Sequence, residues 1–436
     1  MRPNLRSRLE RIREAPPLRP GISKDPRGPI GKRDHPSPGL PPQALDQGWV
    51  PFADLVARRT QRFPVHPPSY DKSLDPALQV LLREIGAWAA EEATLPKEGL
   101  VFFDLETTGL SGGAGTLAFL AAVGRFEGPA LVVDQYLLLD YPGEADFIQT
   151  LLETLGEGAN LVTYNGKSFD AQLFSSRCLM NGFRPPTFRH LDLLYPVRRL
   201  WGRRIPSCSL TEVERSVLRL DRGEDLGGAF APEAWFEFLK EGTWDRVGRI
   251  ADHNQRDILA LLKILDVLNR IAADPATAEE EYPFDTEALA FSWRRLSRPG
   301  AVSLSPYSNE ILAEAPQRAS VLLNLAVSRG YVVATLVKAK EYLATRAYDR
   351  ARELLGWIVQ HGETVETAKV PRRQASRVAL RAQSCRLLSV DAERRLGDLA
   401  LALEWTERAL SQRDLLPQTF REKLERRRER LQSPPD

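Results

Sequence analysis

Residues 101–110, VFFDLETTGL, decide the fold of this chain. An apolar run ends in Asp104 and Glu106, two carboxylates two residues apart, and a Thr-Thr-Gly turn follows. Residues two apart on a strand point to the same face, so both acids are expected side by side at the end of a buried strand. Like charges at this range repel unless a positive group is supplied. On the pair alone, a catalytic role and a turn-capping role both stay open.

The segments that follow predict the rest of the sheet. LAFLAAVGRF (117–126) and LVVDQYLLL (131–139) are β-rich and separated by glycine-containing turns, which indicates an antiparallel trio of strands. Beyond them EADFIQTLLETL is typical of a helix, NLVTYN of a strand and KSFDAQLFSSRCLMNG of a helix, and RHLDLLYPVRRLW begins as a strand. From residue 209 to about 271 the pattern is helical. The sequence therefore predicts an α/β fold, a mixed sheet flanked by helices.

Two later segments carry further polar residues at chosen positions. In LVTYNGKSFDAQLF a strand ends at Asn165, and the next helix carries Asp170 in its first turn. In RIADHNQRDILALL, His253 and Asp257 are four apart and so share one face of an otherwise apolar helix. Carboxylates suit Mg²⁺ or Mn²⁺ better than zinc or copper, because hard cations prefer oxygen ligands.

The order of these motifs resembles a known family. DLETTGL, YNGKSFD and HNQRD are similar to the three motifs of the DEDD group of ribonuclease H-like 3′→5′ exonucleases. SGGAGTLAFLAAVG, HLDLL followed by RRLW, and SCSLTEVE resemble more closely the bacterial YprB-type proteins, a largely predicted nuclease family. The resemblance covers about residues 98–271 and implies a ribonuclease H-like sheet and a nuclease.

The resemblance also implies roles for single residues. Asp104 would bridge two divalent cations, Mg²⁺ or Mn²⁺, with Glu106 and Asp257 completing one site and Asp170 helping to hold the second. His253 would be the general base for the attacking water, which suits a neutral imidazole.

One departure from the family concerns this histidine. His-type members place it five residues before the last aspartate, whereas His253 precedes Asp257 by four, the spacing of the tyrosine type. A core or helix-capping role for His253 therefore stays open. His190 and Asp192 of HLDLL stay outside the catalytic set, because core packing and a structural hydrogen bond explain them about as well.

Other residues are candidate nucleic-acid contacts. Thr107 follows the paired acids, and Asn165 either orients Asp170 or the nucleotide sugar or closes a turn. PVRRLWGRR at 196–204 concentrates arginines around Trp201, and guanidinium groups bind phosphate while an aromatic ring stacks on an unpaired base. For Trp201 we prefer a buried core position. The arginines expected to grip a single strand are Arg198, Arg199, Arg203 and Arg204.

Length and composition predict several parts. A chain of 436 residues favours two folded units with tails. The first 40 residues hold ten Lys or Arg against four acids, with many prolines and glycines, so residues 1–48 are expected to be a disordered basic tail. Residues 49–97 are expected to be a partly helical extension in which DPALQVLLREIGAWAAEEA forms an amphipathic helix. The nuclease-like domain would span 98–272, and a helical domain 276–436.

The composition also excludes some classes. No apolar run approaches the roughly 20 residues of a membrane span, and the charged N-terminus is unlike a secretory signal. The three cysteines are isolated, which argues against disulfides and zinc and favours small core residues. We therefore expect a cytoplasmic protein with no membrane contact.

The last third of the chain predicts helices only. KAKEYLATRAYDRARELLGWIV and RRLGDLALALEWTERAL resemble tetratricopeptide-type helix pairs, but Ala351 and Ala402 are not separated by the family's repeat length. An irregular tetratricopeptide-like array and a generic helical domain both stay open, and either suggests docking of a protein or a nucleic acid.

Three functions follow from these expectations. The first is a metal-dependent 3′→5′ exonuclease on single-stranded DNA or RNA. The second is an endonuclease on the same fold, since the fold does not decide the mode of cleavage. The third is an inactive binding scaffold that uses the helical domain, against which four mutually repelling acids argue.

Overall fold

A mixed sheet of seven strands organises the computed structural model, which describes residues 39–65, 73–88, 95–109, 115–223, 226–298, 308–361 and 371–433. The strands are β1 Trp49–Ala53, β2 Val56–Pro64, β3 Leu100–Thr107, β4 Ala118–Glu127, β5 Ala130–Leu138, β6 Asn160–Thr163 and β7 Arg189–Asp192. They lie in the order β1-β2-β5-β4-β3-β6-β7. β3 is antiparallel to β4 and parallel to β6, so it lies where the two parts of the sheet meet. The predicted antiparallel trio and the mixed sheet flanked by helices are confirmed.

Helices lie around this sheet and form the whole of the C-terminal region that is described. They are α1 Pro42–Asp46, α2 Pro76–Glu84, α3 Glu144–Leu155, α4 Asp170–Met180, α5 Leu194–Trp201, α6 Leu210–Val213, α7 Ala231–Glu241, α8 Asp245–Ala273, α9 Pro275–Glu281, α10 Thr286–Leu296, α11 Ser308–Ser328, α12 Val332–Ala344, α13 Tyr348–His361, α14 Pro371–Asp391, α15 Leu399–Leu410 and α16 Gln418–Gln432. None of these helices is long and apolar enough to cross a membrane, as far as the described residues go.

The alternation of side chains along β3 sets the direction of the paired acids. Phe103 and Leu105 belong to a buried cluster with residues of α3, α4 and α7. Phe102 belongs to the opposite cluster, which contains much of α8. Since alternate residues share a face, Asp104 and Glu106 point to the same side as Phe102. The acids therefore continue the face of the sheet on which α8 packs.

A glycine lets α8 approach the sheet closely. A Cβ atom added to Gly124 of β4 would lie 2.7 Å from Cγ2 of Ile258 and 3.3 Å from Cβ of Phe102. Such distances are shorter than van der Waals contact, so only the hydrogen of glycine fits between β4 and α8. This contact fixes the depth of α8, the helix that carries His253 and Asp257.

The N-terminal extension adds two strands that the sequence pattern did not predict. β1 and β2 form a hairpin, and β2 extends the sheet by pairing with β5. β2 was not recognised because an arginine, Arg59, occupies a position at which a buried strand is expected to carry an apolar residue. Only 4% of the surface of Arg59 is exposed. Its guanidinium donates to Oε1 of Gln135 at 2.7 and 3.0 Å and to Oδ1 of Asp252 at 3.0 Å.

The amphipathic helix of this extension is shorter than predicted. α2 ends at Glu84, and Gly86 follows with φ of +72°, a left-handed conformation that stops a helix. Trp88 is buried, but it lies beyond the helix. Residues 89–93 of the predicted helix lie outside the described residues.

Two other expectations need adjustment. Residues 39–48 fall within the predicted disordered tail, yet they contain the helix α1 and buried Ala44; residues 1–38 lie outside the described residues. The chain between α6 and α7 is not continuously helical either. Arg219 has φ of +55°, and residues 219–223 form no helix because this left-handed residue ends the turn before it.

The C-terminal region is all-α, as predicted. From α10 to α16, each helix contacts the next. Ala351 and Ala402 are fully buried, in agreement with close helix packing. One buried cluster joins residues of α2 and α8 to residues of α10, α11 and α12, so apolar packing continues across residue 276. The tetratricopeptide-like assignment and the domain limits stay predictions.

Two of the three cysteines are core residues, as predicted. Cys178 and Cys385 are buried, Cys208 is half-buried, and all three are free thiols. Burial raises the pKa of the Cys178 and Cys385 thiols to about 11, so both are neutral at ordinary pH.

Candidate active site

The five predicted catalytic residues line one cleft. Asp104 and Glu106 come from the end of β3, Asp170 from the first turn of α4, and His253 and Asp257 from one face of α8. The cleft has a volume of about 540 Å³ and is open to solvent on one side. Its lining also includes two of the predicted nucleic-acid contacts, Thr107 and Asn165.

The turn after β3 is closed by the threonines that follow the acids. The pairing of β3 with β4 shifts register between Glu106 and Thr107. Oγ1 of Thr107 donates to the carbonyl oxygen of Gly109 at 2.9 Å, and Oγ1 of Thr108 accepts from the backbone N–H of Leu117 at 3.1 Å. These bonds hold the end of the strand in place. Residues 110–114, which include most of the glycine-rich start of the SGGAGTLAFLAAVG motif, lie outside the described residues.

Asn254 orients Asp104, and the sequence analysis missed it. Its Nδ2 donates to Oδ2 of Asp104 at 2.7 Å. Its Oδ1 accepts from Nε2 of Gln135 at 3.0 Å, and the side chain is fully buried. A fully buried amide needs such partners. The sequence shows only that Asn254 lies between the two predicted catalytic residues of HNQRD, and its burial is seen only in the fold.

The turn that presents Asp170 is organised by Asp192. Asn165 adopts a left-handed conformation with φ of +64°. Oδ1 of fully buried Asp192 accepts from the backbone N–H of Asn165 at 2.8 Å, and Oδ2 accepts from that of Lys167 at 3.1 Å. A Cβ on Gly166 would lie 2.5 Å from Oγ1 of Thr163, so glycine is required there. Asp192 thus positions the turn and does not face the cleft.

His190 has a structural partner as well. One ring nitrogen, Nε2, lies 2.6 Å from Oγ1 of Thr163. Burial lowers the pKa of His190 to about 4, so the ring is neutral at ordinary pH. The structural hydrogen bond that the sequence analysis set beside a catalytic role is therefore present.

The acids of the cleft destabilise each other's charges. Burial, followed by the nearby charges of Asp257, Asp170 and Glu106, raises the pKa of Asp104 well above its usual range, although the bond from Asn254 opposes the rise. Burial and the charges of neighbouring carboxylates likewise raise the pKa of Asp170 to about 7. A site that holds these acids ionised needs added positive charge.

One protein cation already lies among them, and the sequence analysis missed it. The guanidinium of Arg222, in the chain between α6 and α7, is hydrogen-bonded to Asp257 and Glu214. Its Nη1 lies 2.9 Å from Nδ1 of His253. Burial alone would lower the pKa of Arg222, but the charges of Asp257 and Glu214 outweigh burial and raise it. The guanidinium is therefore permanently charged.

The donor set suits divalent cations in its chemistry. Four carboxylates, all oxygen donors, converge on one cleft, and two of them resist ionisation without a cation. Among the described residues, however, no three His, Cys, Asp or Glu side chains form a ready-made metal group. Asn254 engages Asp104, and Arg222 engages Asp257, so both carboxylates are turned toward protein donors.

An aromatic ring beside the acids is a further addition to the site. Phe169 immediately precedes Asp170, lines the cleft and is 53% exposed. An exposed phenylalanine at a cleft is available for stacking on an unpaired base. The side chain of Leu173, one turn along α4, lines the same cleft.

The predicted arginine group lies elsewhere. Among the described residues that line the cleft, none of the four arginines appears. Arg203 is ion-paired with Asp285 at 2.5 Å and Glu287 at 3.1 Å, and Nη1 of Arg204 donates to the hydroxyl of Tyr331 at 2.9 Å. Arg198 is exposed and Arg199 half-buried. Two of the four arginines, Arg203 and Arg204, therefore connect the turn after α5 to the C-terminal helices.

Trp201 occupies the core, as expected. It is 2% exposed, and its indole N–H donates to the carbonyl oxygen of Pro283 at 3.1 Å. A ring with this burial cannot stack on a base.

Comparison with known proteins agrees with the fold and the motifs. Residues 101–269 match the model of the RNase_H superfamily, from the start of β3 almost to the end of α8. This part of the chain is therefore a ribonuclease H-like domain, and this class supports a nuclease-type function.

A particular relative is the uncharacterized protein YprB of Bacillus subtilis (strain 168). The two sequences are 36% identical over 199 residues, which are 45% of this chain and 47% of that protein. The resemblance to the YprB-type proteins is thus confirmed, and the likeness to the DEDD group stays a prediction. The match spans about half the length of this curated relative.

Proposed function

We propose that this chain is a metal-dependent nuclease that removes nucleotides from the 3′ end of single-stranded DNA or RNA. One observation carries the proposal: residues from three distant segments, four of them carboxylates, line a single open cleft. The match to the RNase_H superfamily supports hydrolysis of phosphodiesters. The direction of cleavage rests on the likeness of the three motifs to the DEDD group.

The carboxylates would hold two divalent cations, Mg²⁺ or Mn²⁺. Glu106 and Asp257 would hold one together with Asp104, and Asp170 would help to hold the second, also with Asp104. Such ions, when bound, supply activation of the attacking water and stabilise charge on the phosphate and the departing 3′-oxygen. They also offset the repulsion between the acids and an anionic strand.

The chain's own residues supply orientation. Asn254 fixes the Asp104 carboxylate, and Asp192 fixes the turn before Asp170. Phe169 offers an exposed ring on which an unpaired base would stack, which agrees with a single-stranded substrate. Positioning of this kind contributes to the rate because the reacting groups need no further ordering.

His253 is proposed to take the proton of the attacking water. Its Nε2 lies 3.7 Å from Oδ2 of Asp257, and a Cβ on Gly228 would lie 3.6 Å from it, which places this nitrogen at the cleft. A neutral imidazole accepts only at the nitrogen that has no hydrogen. Catalysis at Nε2 therefore requires the ring hydrogen on Nδ1.

The proposal is tested with single-stranded DNA and RNA oligonucleotides labelled at the 5′ or the 3′ end. Wild-type protein, Asp104→Asn and the exposed control Asp54→Asn are incubated with each substrate in Mn²⁺, Mg²⁺ or EDTA. We expect a ladder that shortens from the 3′ end, present in wild type and control, and absent in Asp104→Asn and in EDTA. The preferred substrate distinguishes DNA from RNA.

Other outcomes distinguish the alternatives. Internal cuts from the first time points indicate an endonuclease. Metal-independent binding of oligonucleotide without cleavage indicates a scaffold, and would contradict the proposal. A protein partner for the C-terminal helices is a separate proposal. It is tested by comparing the protein binding of the full chain with that of variants in the C-terminal helices.

A further inference from the structure

Arg222 is buried among acidic partners at the edge of the proposed metal site. Its side chain is 8% exposed, and its charged partners include the nearly buried carboxylates of Glu214 and Asp257. Nε of Arg222 donates to Oε2 of Glu214 at 2.5 Å, while Nη2 contacts both carboxylates. One guanidinium therefore neutralises a proposed metal ligand from within the protein.

The same guanidinium fixes the hydrogen of His253. An arginine N–H can only donate, so Nδ1 of His253 must accept from Nη1 of Arg222. In the neutral ring the hydrogen then lies on Nε2, the nitrogen at the cleft. A ring in this tautomer cannot accept a proton from water at Nε2. In this arrangement Asp257, a proposed cation ligand, is paired with Arg222, and His253, the proposed base, has no acceptor nitrogen at the cleft.

We propose that Arg222 is an internal counter-cation of the metal-free site, and that metal binding displaces it from Asp257 and releases Nδ1 of His253. This inference rests on the proposed metal-dependent function. Two positive groups on one carboxylate repel each other, so a divalent ion and the guanidinium compete for Asp257.

Glu214 gives the displaced arginine a place to remain. It lies in the turn after α6, in the SCSLTEVE motif that the proposed catalytic residues leave unexplained, and it is 3% exposed. The hydrogen bond from Nε of Arg222 to Glu214 does not involve Asp257. The guanidinium can therefore move away from Asp257 and keep its ion pair with Glu214. A buried arginine charge without any carboxylate would be unfavourable.

A different role would leave Arg222 in place. In that case the guanidinium would hold Asp257 in the orientation that binds metal, and its loss would weaken metal binding. The two roles predict opposite changes in metal affinity, so a binding measurement separates them without reference to the rate of cleavage.

The test is the affinity of the full-length protein for Mn²⁺, measured by isothermal titration calorimetry. Arg222→Gln removes the charge and keeps a hydrogen-bond donor. Arg215→Gln is the matched control, because Arg215 lies in the same region, is 71% exposed and pairs with Glu212. We expect Arg222→Gln to bind Mn²⁺ about tenfold more tightly than wild type, and the control to be unchanged.

A second measurement needs no variant of Arg222. Histidine ring-nitrogen resonances are recorded for the wild type before and after saturation with Mg²⁺, and His253→Gln assigns the signal among the five histidines. We expect the neutral His253 ring to carry its hydrogen on Nε2 without metal, and the Nδ1 resonance to change when Mg²⁺ binds. An unchanged Nδ1 resonance at saturation contradicts displacement.

The outcomes separate this inference from the function on which it rests. If the wild type binds Mn²⁺ and cleaves, but Arg222→Gln binds Mn²⁺ no more tightly than the wild type, this inference alone is overturned. Failure of the wild type to bind Mn²⁺ and to cleave overturns both. If Arg222→Gln does not fold, the ring-nitrogen measurement on the wild type decides.

Discussion

Replacing Asp170 by asparagine should stabilise the metal-free protein at alkaline pH. The pKa of Asp170 rises from 3.8 to about 7 on folding. For an acid with a raised pKa in the folded state, the stabilisation is complete below the unfolded pKa and is lost as pH rises through the folded pKa. Wild type should therefore lose stability between about pH 4 and pH 7, and Asp170→Asn should not lose this part.

The size of the effect follows from the same shift. Between pH 5 and pH 7 the Asp170 carboxyl is largely ionised in the unfolded chain and neutral in the folded one, which corresponds to almost 3 kcal/mol at about 1.4 kcal/mol per pH unit. Coupling to the other acids and partial contact with solvent reduce this to about 2 kcal/mol. For a cooperative unit of about 150–250 residues, that is about 4–8 °C in Tm.

The assay is thermal unfolding followed by circular dichroism in EDTA at pH 5 and pH 8. The Tm of Asp170→Asn relative to wild type should be higher at pH 8 than at pH 5 by the amount above. Asp54→Asn, an exposed aspartate in the β1–β2 turn, should show the same difference from wild type at both pH values. With saturating Mn²⁺ at pH 8 the order should reverse, because the ion stabilises only intact ligands. A difference between Asp170→Asn and wild type that does not grow with pH would refute the electrostatic reasoning.

Three further substitutions test the parts that position the site. Asp192→Asn removes one acceptor of the turn before Asp170, the proposed catalytic acid of α4; we expect a loss of about 1–3 kcal/mol in urea unfolding and a lower cleavage rate. Gly124→Ala should cost about 1–3 kcal/mol and weaken Mn²⁺ binding, since its methyl would push Ile258 and α8 away from the sheet. Trp201→Ala should cost about 3–5 kcal/mol in urea unfolding but leave oligonucleotide affinity unchanged when the protein is folded, because the ring is buried.

Each of these predictions has its own contrary result. An Asp192→Asn variant with wild-type stability would show that the turn does not depend on its acceptors. A Gly124→Ala variant with wild-type Mn²⁺ affinity would show that α8 absorbs the methyl without moving its ligands. A folded Trp201→Ala variant with much weaker oligonucleotide binding would show that the ring reaches the strand.

The sequence predicted the local elements well where periodicity reports burial. β3, β4 and β5 are almost wholly apolar and lie between covered faces, so their pattern is unambiguous. The acids of β3 and α8 were predicted because strand and helix spacing places them on defined faces. In the structure these acids line the same cleft. Their role as cation ligands stays a prediction.

The sequence was less informative where a residue's environment comes from distant segments. The strand β2 looked polar in the sequence because it contains Arg59. In the fold this arginine is buried against Gln135 and Asp252, which lie far along the chain. Arg203 looked available for phosphate, whereas Asp285 and Glu287 pair with it. No periodic pattern connects such partners, because only the folded chain brings them together.

Arg222 shows the same limit at the site itself. It lies in a non-helical segment between α6 and α7, and its position in the sequence gives no indication that it meets α8. Phe169 and Asn254, by contrast, adjoin predicted catalytic residues, and their burial or exposure could be seen only in the fold.

The central claim is that the acids around Asp104 form a centre for divalent cations. Its most direct test is the number of Mn²⁺ ions bound per chain, measured by equilibrium dialysis and metal analysis for wild type and Asp104→Asn. The account predicts about two ions for the wild type and the loss of at least one in the variant, because Asp104 would contact both. A wild type that binds none, or a variant that binds as many ions as the wild type with equal affinity, would contradict it.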